Sequence, residues 1–226
     1  RNLPANRKFV HATNDTRDLN KDYVADYPIV GDAKLVLRQL ADACRDIVGN
    51  KRRTDSTTAQ ELKAQYDLWL AKWLPKLQSD ARPINPYRVV WDFMQAIPAD
   101  EAIITHDSGS PRSQITPFYR CAGPRSYIGW GKSHGLGTGL GLIMGAKLAN
   151  PGKVCVNFMG DAAFGMVGLD FETAVRHGIP IITVVLNNGT MACEIHAMSV
   201  SHKLFHARDL GGNYADMGRA MGGYAE

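Results

Sequence analysis

The stretch KVCVNFMGDAAFGMVGLDFETAVRHGIPIITVVLNNGT, residues 153–190, decides the fold class because two apolar runs flank a single helix. The runs 153–161 and 179–189 are rich in β-branched residues and are predicted to be strands, with a helix over 163–177 between them. Apolar strands that alternate with helices are typical of a parallel sheet covered on both faces. The stretch therefore predicts a βαβ unit.

The same alternation continues on the N-terminal side of this stretch. A helix is predicted over 86–97, a strand over 101–107 and a glycine-rich helix over about 135–149. Residues 86–226 are therefore predicted to form one α/β domain, a doubly wound parallel sheet with helices on both faces.

The part of the chain before this domain has a different organisation. A strand around 9–12 and a helix over 33–48 indicate a fragment of a second α/β domain in residues 1–50. Residues 51–85 are predicted to be a helical linker, because a helix over 55–78 is followed by a polar connection that contains proline. The chain starts with arginine and ends within a predicted αβ unit, so we expect an internal piece of a longer polypeptide, truncated in its last domain.

Composition and charge argue against several classes of protein. A chain of 226 residues with 45% hydrophobic and 21% charged residues is ordinary for a globular protein, and a net charge of +4 is too weak to indicate nucleic acid or an anionic membrane. No apolar run approaches the roughly 20 residues that span a bilayer. The four cysteines have no CxxC spacing, so we expect buried thiols and a cytoplasmic location.

Polar residues follow three of the predicted strands, in THDSGS (105–110), MGDAAF (159–164) and LNNGT (186–190). Parallel strands bring their carboxyl ends to the same edge of a sheet, where ligands bind. Asp161 offers a carboxylate and Asn188 an amide oxygen, and Mg²⁺ accepts such ligands together with phosphates, water and backbone carbonyls.

A diphosphate site is expected beside this metal site. Gly160, Ala162 and Ala163 are small enough for the backbone to approach an anion at the start of the predicted helix. Taken singly, an aspartate there is more often a helix cap and an Asn-Gly pair more often a turn. Two such sites at adjacent strand ends favour the metal and diphosphate interpretation.

The segment GDAAFGMVGLDFETAVRHGIPIITVVLNNGT (160–190) resembles the cofactor motif of thiamine-diphosphate enzymes of the acetolactate synthase and pyruvate decarboxylase type. That motif runs from Gly-Asp-Gly to Asn-Asn, and Asp161 and Asn188 show its separation of 27 residues. The family's third residue is glycine, whereas this chain has Ala162, whose methyl group is expected to crowd the diphosphate while still allowing N–H contact.

The resemblance implies roles for individual residues. Asp161, Asn188 and the backbone carbonyl of Thr190 would bind the metal ion. Gly109 and Ser110 match the family's Asp-x-Gly segment, which touches the diphosphate.

Leu136 matches a further family position, an apolar pillar that holds the cofactor bent, within GLGTGLGLIMGAKLA (135–149). A core position is an equally good interpretation of this leucine. The glycines of the same segment do not indicate a dinucleotide-binding site, because no register of them gives the GxGxxG motif.

By resemblance, the chain is the diphosphate- and metal-binding part of a thiamine-diphosphate-dependent lyase or carboligase that acts on a 2-oxo acid or related acyl donor, with Mg²⁺ as the second cofactor. The family's pyrimidine-binding domain, of the same or a second chain, supplies a glutamate that this chain lacks. We therefore expect a homo-oligomer, and no turnover by this chain alone.

Two alternatives stay open at this point. One is a decarboxylase of the oxalyl-CoA or benzoylformate kind, and the other is a non-catalytic flavodoxin-like module that binds an anion or a partner. The sequence does not name the substrate, nor whether FAD or CoA is used. Four histidines could transfer protons in a complete enzyme, but each is more often structural: His134, His196, His202 and His206.

Overall fold

A computed structural model describes residues 6–49, 56–129 and 135–226. The chain divides into two compact units, Arg1–Ala64 and Gln65–Glu226.

The first unit contains a small parallel sheet and one long helix. Strand β1 (Val10–Thr13) pairs in parallel with β2 (Tyr27–Val30), and helix α1 covers Ala33–Val48. Asp32 begins α1 because its carboxylate accepts the free N–H groups of Lys34 and Leu35, at 3.0 and 3.1 Å. The predicted strand and helix are confirmed.

A four-stranded parallel sheet forms the centre of the second unit. Its strands are β3 (Ala102–His106), β4 (Tyr127–Ile128), β5 (Val154–Gly160) and β6 (Ile182–Leu186), in the order β4-β3-β5-β6. All three pairings are parallel, as predicted.

The remaining helices alternate with these strands or flank them. They are α2 (Thr57–Leu77), α3 (Pro86–Ala96), α4 (Ser110–Ile115), α5 (Thr138–Ala149), α6 (Asp161–Val167), α7 (Asp170–Arg176), α8 (Ser199–Phe205) and α9 (Tyr214–Ala220).

Both faces of the sheet are covered, which confirms the predicted doubly wound α/β architecture. On one face, Ile104 and Phe158 pack with residues of α2, α3 and α4, such as Leu77. On the other face, Ile103 packs with Ile143 of α5. Successive strand residues point to opposite faces, and because helices cover both faces, the strands are largely apolar along their whole length, with Thr105, His106 and Asn157 as buried polar exceptions.

The helix predicted over 163–177 is wrong in two respects. The helical segment begins at Asp161, and it consists of two helices, α6 and α7, which are separated by Gly168 and Leu169. Gly168 donates its N–H to the carbonyl of Phe164 at 2.6 Å, and a Cβ at Gly168 would lie at the same distance from that oxygen. Only glycine fits such a close approach, and the chain turns there.

Helix α2 spans the segment that was predicted to be a linker. From Gln65 onward it belongs to the second unit, where Trp69 and Trp73 pack against Phe118, with ring centroids 5.2 and 5.4 Å apart. The predicted domain limits at residues 50 and 85 stay a prediction.

The expectation of buried thiols holds for one cysteine only. Cys155 in β5 is buried, whereas Cys44, Cys121 and Cys193 are exposed, and all four are free thiols. Burial raises the pKa of the Cys155 thiol, against a smaller opposing effect of the Lys147 charge.

Every helix among the residues that the structure describes is too short or too polar to cross a lipid bilayer.

Replacing Leu77 with alanine tests whether the part of α2 from Gln65 onward belongs to the core of the second unit. Leu77 has no exposed surface, so the loss of its packing should lower the free energy of unfolding by about 2 to 5 kcal/mol. Leu62→Ala on the same helix is the control, because Leu62 is 67% exposed and should cost much less. Urea unfolding followed by tryptophan fluorescence measures both, and equal losses would contradict the assignment.

Candidate cofactor site

Three strand ends meet at one edge of the sheet. The segments that follow β3, β5 and β6 contact one another there: the Gly189 N–H, after β6, donates to Asp161, after β5, at 2.7 Å, and Ser110 Oγ, after β3, lies 3.7 Å from Cys193 Sγ, after β6. This convergence follows from the parallel pairing, which places all carboxyl ends on one side.

Asp161 joins two of these segments. It lies at the first position of α6, directly after β5, and is 2% exposed. Its Oδ1 accepts the N–H of Ala162 at 2.8 Å, and its Oδ2 accepts the N–H of Gly189, after β6, at 2.7 Å. Each carboxylate oxygen has a second lone pair, so the group can still bind a cation.

Asn188 and Thr190 offer two further candidate oxygen ligands, on the loop after β6. Asn188 is exposed, and its Oδ1 accepts the N–H of Thr190 at 3.1 Å in an Asx turn. The carbonyl of Thr190 accepts the N–H of Ala192 at 2.9 Å. Carboxylate, amide and carbonyl oxygens suit Mg²⁺, and each retains an unused lone pair.

The loop after β6 is held from its other side by a segment that the sequence analysis missed. Residues 189–191 pair in antiparallel fashion with 208–210 through backbone hydrogen bonds of 2.9 and 3.0 Å. In the second segment, the Asp209 carboxylate lies 3.2 Å from Nδ1 of His206 and 3.8 Å from Nδ1 of His202. A pairing between irregular segments leaves no periodic signal in the sequence.

The predicted diphosphate contacts lie at this edge, but they differ in what they can offer. Gly109 and Ser110 are half-buried where α4 begins. Ala162 already donates its N–H to Asp161, and Ala163 is fully buried, with its methyl group in the core.

Leu136 lies just before α5, half-buried against the core cluster that contains Leu140, Met159 and Phe164. The position agrees with its interpretation as a core residue and leaves part of the side chain accessible. Of the four candidate histidines, His134 lies outside the described residues.

Tyr214 adds a neutral polar group near Asp161. Its ring packs edge-on against Phe164, with centroids 5.8 Å apart. Burial, and to a smaller extent the charge of Asp161, raises the pKa of the Tyr214 hydroxyl, so the phenol is protonated at neutral pH.

Within residues 6–49, 56–129 and 135–226, no three side chains of the His, Cys, Asp or Glu type lie together in a group that could hold a metal ion. A site built from Asp161, Asn188 and a backbone carbonyl needs no such cluster, because it contains only one carboxylate.

Comparison with known proteins agrees with this geometry. A family model described as "Thiamine pyrophosphate enzyme, C-terminal TPP binding domain" matches residues 107–225, which include the segments that follow β3, β5 and β6. Thiamine pyrophosphate is another name for thiamine diphosphate.

Individual relatives support the same family. The chain is 30% identical to a probable acetolactate synthase large subunit of Methanocaldococcus jannaschii, over 81% of this chain and 31% of that protein. It is 27% identical to the acetolactate synthase isozyme 3 large subunit of Escherichia coli, over 81% of this chain and 31% of that protein. It is 28% identical to a sulfoacetaldehyde acetyltransferase of Castellaniella defragrans, over 97% of this chain and 39% of that protein.

The chain thus spans between 31% and 39% of the length of these three relatives. The family match covers strands β4, β5 and β6 and the loops at the carboxyl edge of the sheet, which is where the candidate ligands lie, and it begins directly after β3. The chain belongs to the thiamine pyrophosphate enzymes and contains their C-terminal, cofactor-binding domain.

Proposed function

We propose that Asp161, Asn188 and the carbonyl oxygen of Thr190 hold a Mg²⁺ ion that binds the diphosphate of thiamine diphosphate. The observation that carries this proposal is the 2.7 Å hydrogen bond from Gly189 N–H to Asp161 Oδ2, which fixes the carboxylate beside the Asn188 loop. A buried carboxylate fixed in this way is already oriented before a cation arrives.

The diphosphate is proposed to contact Gly109, Ser110, Gly160, Ala162 and Ala163. The seven-residue α6 has a smaller dipole than the long helix expected from the sequence, so local N–H groups and the metal ion must provide most of the attraction. The Ala162 N–H is shared with Asp161, which reduces what that residue can give to a phosphate oxygen.

Leu136 is proposed to support the rings of the cofactor. It precedes α5 at the same edge of the sheet, and its half-buried side chain is anchored by Leu140 and Met159. A rigidly packed apolar side chain can fix the conformation of a bound ligand at low entropic cost.

The whole enzyme is proposed to be a lyase or carboligase that acts on a 2-oxo acid. Thiamine diphosphate, when bound, supplies carbanion chemistry at its thiazolium ring. The residues of this chain bind and orient the cofactor, and a pyrimidine-binding domain of the same or a second chain would provide the activating glutamate. Homo-oligomerisation and a cytoplasmic location stay predictions.

The names of the relatives indicate two alternative reactions for the whole enzyme. One is the synthesis of acetolactate, and the other is an acetyl transfer that involves sulfoacetaldehyde. A simple decarboxylase is a third possibility from the sequence analysis. Membership of a cofactor-binding family argues against the flavodoxin-like module.

Asp161→Ala in the full-length enzyme should weaken Mg²⁺-dependent binding of thiamine diphosphate by at least about 100-fold, because a buried, preoriented charged ligand is removed. Isothermal titration calorimetry with and without Mg²⁺ measures the loss. Asp170→Ala is the matched control, since Asp170 is exposed at the start of α7 and should leave binding unchanged. Unaltered affinity in Asp161→Ala would refute the metal site.

Alkylation of Cys193 should slow when thiamine diphosphate and Mg²⁺ are added, because its thiol lies 3.7 Å from Ser110 Oγ and a bound diphosphate would cover it. Exposed Cys44 should react at the same rate throughout, and buried Cys155 should react slowly in both states. Mass spectrometry after timed iodoacetamide treatment resolves the three sites. Cofactor addition that leaves the Cys193 rate unchanged would place the diphosphate elsewhere.

Product analysis separates the competing reactions. The full-length enzyme, given pyruvate, Mg²⁺ and thiamine diphosphate, is expected to form acetolactate, and the 226-residue chain alone is expected to form no product. Free aldehyde as the main product would indicate a decarboxylase, and turnover that requires sulfoacetaldehyde would indicate the acetyltransferase.

A further inference from the structure

One buried acid has no part in the proposed metal and diphosphate contacts. Asp107 directly follows β3 and has no exposed surface. Its N–H donates to the carbonyl of Phe158 at 2.7 Å, which continues the pairing of β3 with β5. A buried carboxylate is stable only when hydrogen bonds satisfy its oxygens.

Three backbone N–H groups satisfy the Asp107 carboxylate. Its Oδ1 accepts the N–H of Ser108 at 2.7 Å and that of Gly137 at 2.9 Å, and its Oδ2 accepts the N–H of Gly139 at 2.9 Å. Gly137 and Gly139 lie at the start of α5, where N–H groups have no partner within the helix. Asp107, just beyond the end of β3, therefore caps α5, because the glycine at the cap position has no side chain to do so.

The carbonyl of Gly139 is held as well. Thr105 Oγ1 lies 3.2 Å from it and 2.9 Å from Asn157 Oδ1. A Cβ at Gly139 would lie 2.5 Å from Asn157 Oδ1 and 3.0 Å from Asp107 Oδ2. The approach of the α5 backbone to the sheet therefore requires glycine at this position.

Gly137 is constrained in a second way. Its φ of +93° is in the region that favours glycine, and a Cβ there would lie 2.3 Å from Val167. The residue just before it is Leu136. The hydrogen bond from Gly137 to Asp107 therefore fixes the backbone from which the Leu136 side chain extends.

Asp107 thus stands between two sets of proposed cofactor contacts. Gly109 and Ser110 follow it by two and three residues, and Leu136 is attached to it through Gly137. Gly109 and Ser110 are proposed to contact the diphosphate end of the cofactor, and Leu136 is proposed to support its rings.

We infer that Asp107 is a positioning residue, which sets the distance between the ring support at Leu136 and the diphosphate loop at Gly109 and Ser110. The inference rests on the proposed function. Asp107 itself touches neither end of the cofactor, and it acts through the backbone N–H groups that it holds.

Asp107→Asn in the full-length enzyme tests this inference. Asparagine keeps the size of the side chain but replaces one accepting oxygen with an NH₂ group, which cannot accept from Gly137 or Gly139. Calorimetry with Mg²⁺ should show the dissociation constant of thiamine diphosphate raised by at least about tenfold. The dissociation constant of pyrophosphate, which reports only the diphosphate end, should change by less than about threefold.

Ile103→Val is the matched control. Ile103 lies on the same strand and packs against Ile143 of α5, so the variant loosens the contact between β3 and α5 without touching the Asp107 hydrogen bonds. Both dissociation constants should stay at their unsubstituted values. Equal losses for the two ligands in Asp107→Asn, or no loss for either, would overturn the inference.

A measurement on the unsubstituted enzyme covers the case in which Asp107→Asn fails to fold. Peptides that contain Gly137 and Gly139 should exchange their amide hydrogens slowly without cofactor, because both amides are buried and bonded to Asp107. Rapid exchange there would also overturn the inference. If the unsubstituted enzyme binds no thiamine diphosphate in the presence of Mg²⁺, the proposed function itself fails, and that result is visible before any variant is compared.

Discussion

The parallel pairing of β5 with β3 and β6 is the constraint on which the rest of the second unit depends. The register places His106 beside Phe158 and Gly160 beside Leu186, so all three strands end at nearly the same level. Each chain segment then leaves the sheet on the same side. Because helices cover both faces of a parallel sheet, the carboxyl edge is the place where polar groups can collect without disturbing the core.

Two buried carboxylates at this edge use backbone N–H groups as their partners. Asp161 accepts from Ala162 and Gly189, and Asp107 accepts from Ser108, Gly137 and Gly139. Each acid connects its own strand to a distant segment, so the loops are fixed relative to one another by hydrogen bonds to charge, which are stronger than those between neutral groups. These hydrogen bonds position the loops at the carboxyl edge of the sheet without a bound ligand.

The alanine at position 162 is the departure from the family motif that bears most directly on cofactor binding. The N–H of Ala162 donates to the Asp161 carboxylate, and the methyl group of the adjacent Ala163 packs in the core. In the proposed site, the short α6 would leave the diphosphate dependent on the metal ion and on Gly109 and Ser110. The proposed diphosphate site would therefore use loop backbone where a long helix was predicted.

The sequence by itself determined the α/β class, the strands β1, β3, β5 and β6, and the placement of Asp161 and Asn188 at strand ends, because apolar periodicity and residue spacing are local properties of the chain. It did not indicate the short strands β2 and β4. It did not determine the division of the predicted helix into α6 and α7, since the close contact of Gly168 with Phe164 exists only in the folded chain. The pairing of 189–191 with 208–210 and the cap that Asp107 gives to α5 were also decided by the tertiary structure. The partners in those hydrogen bonds are 17 to 32 residues apart in the chain. No pattern in the sequence indicates which distant N–H group a carboxylate will meet.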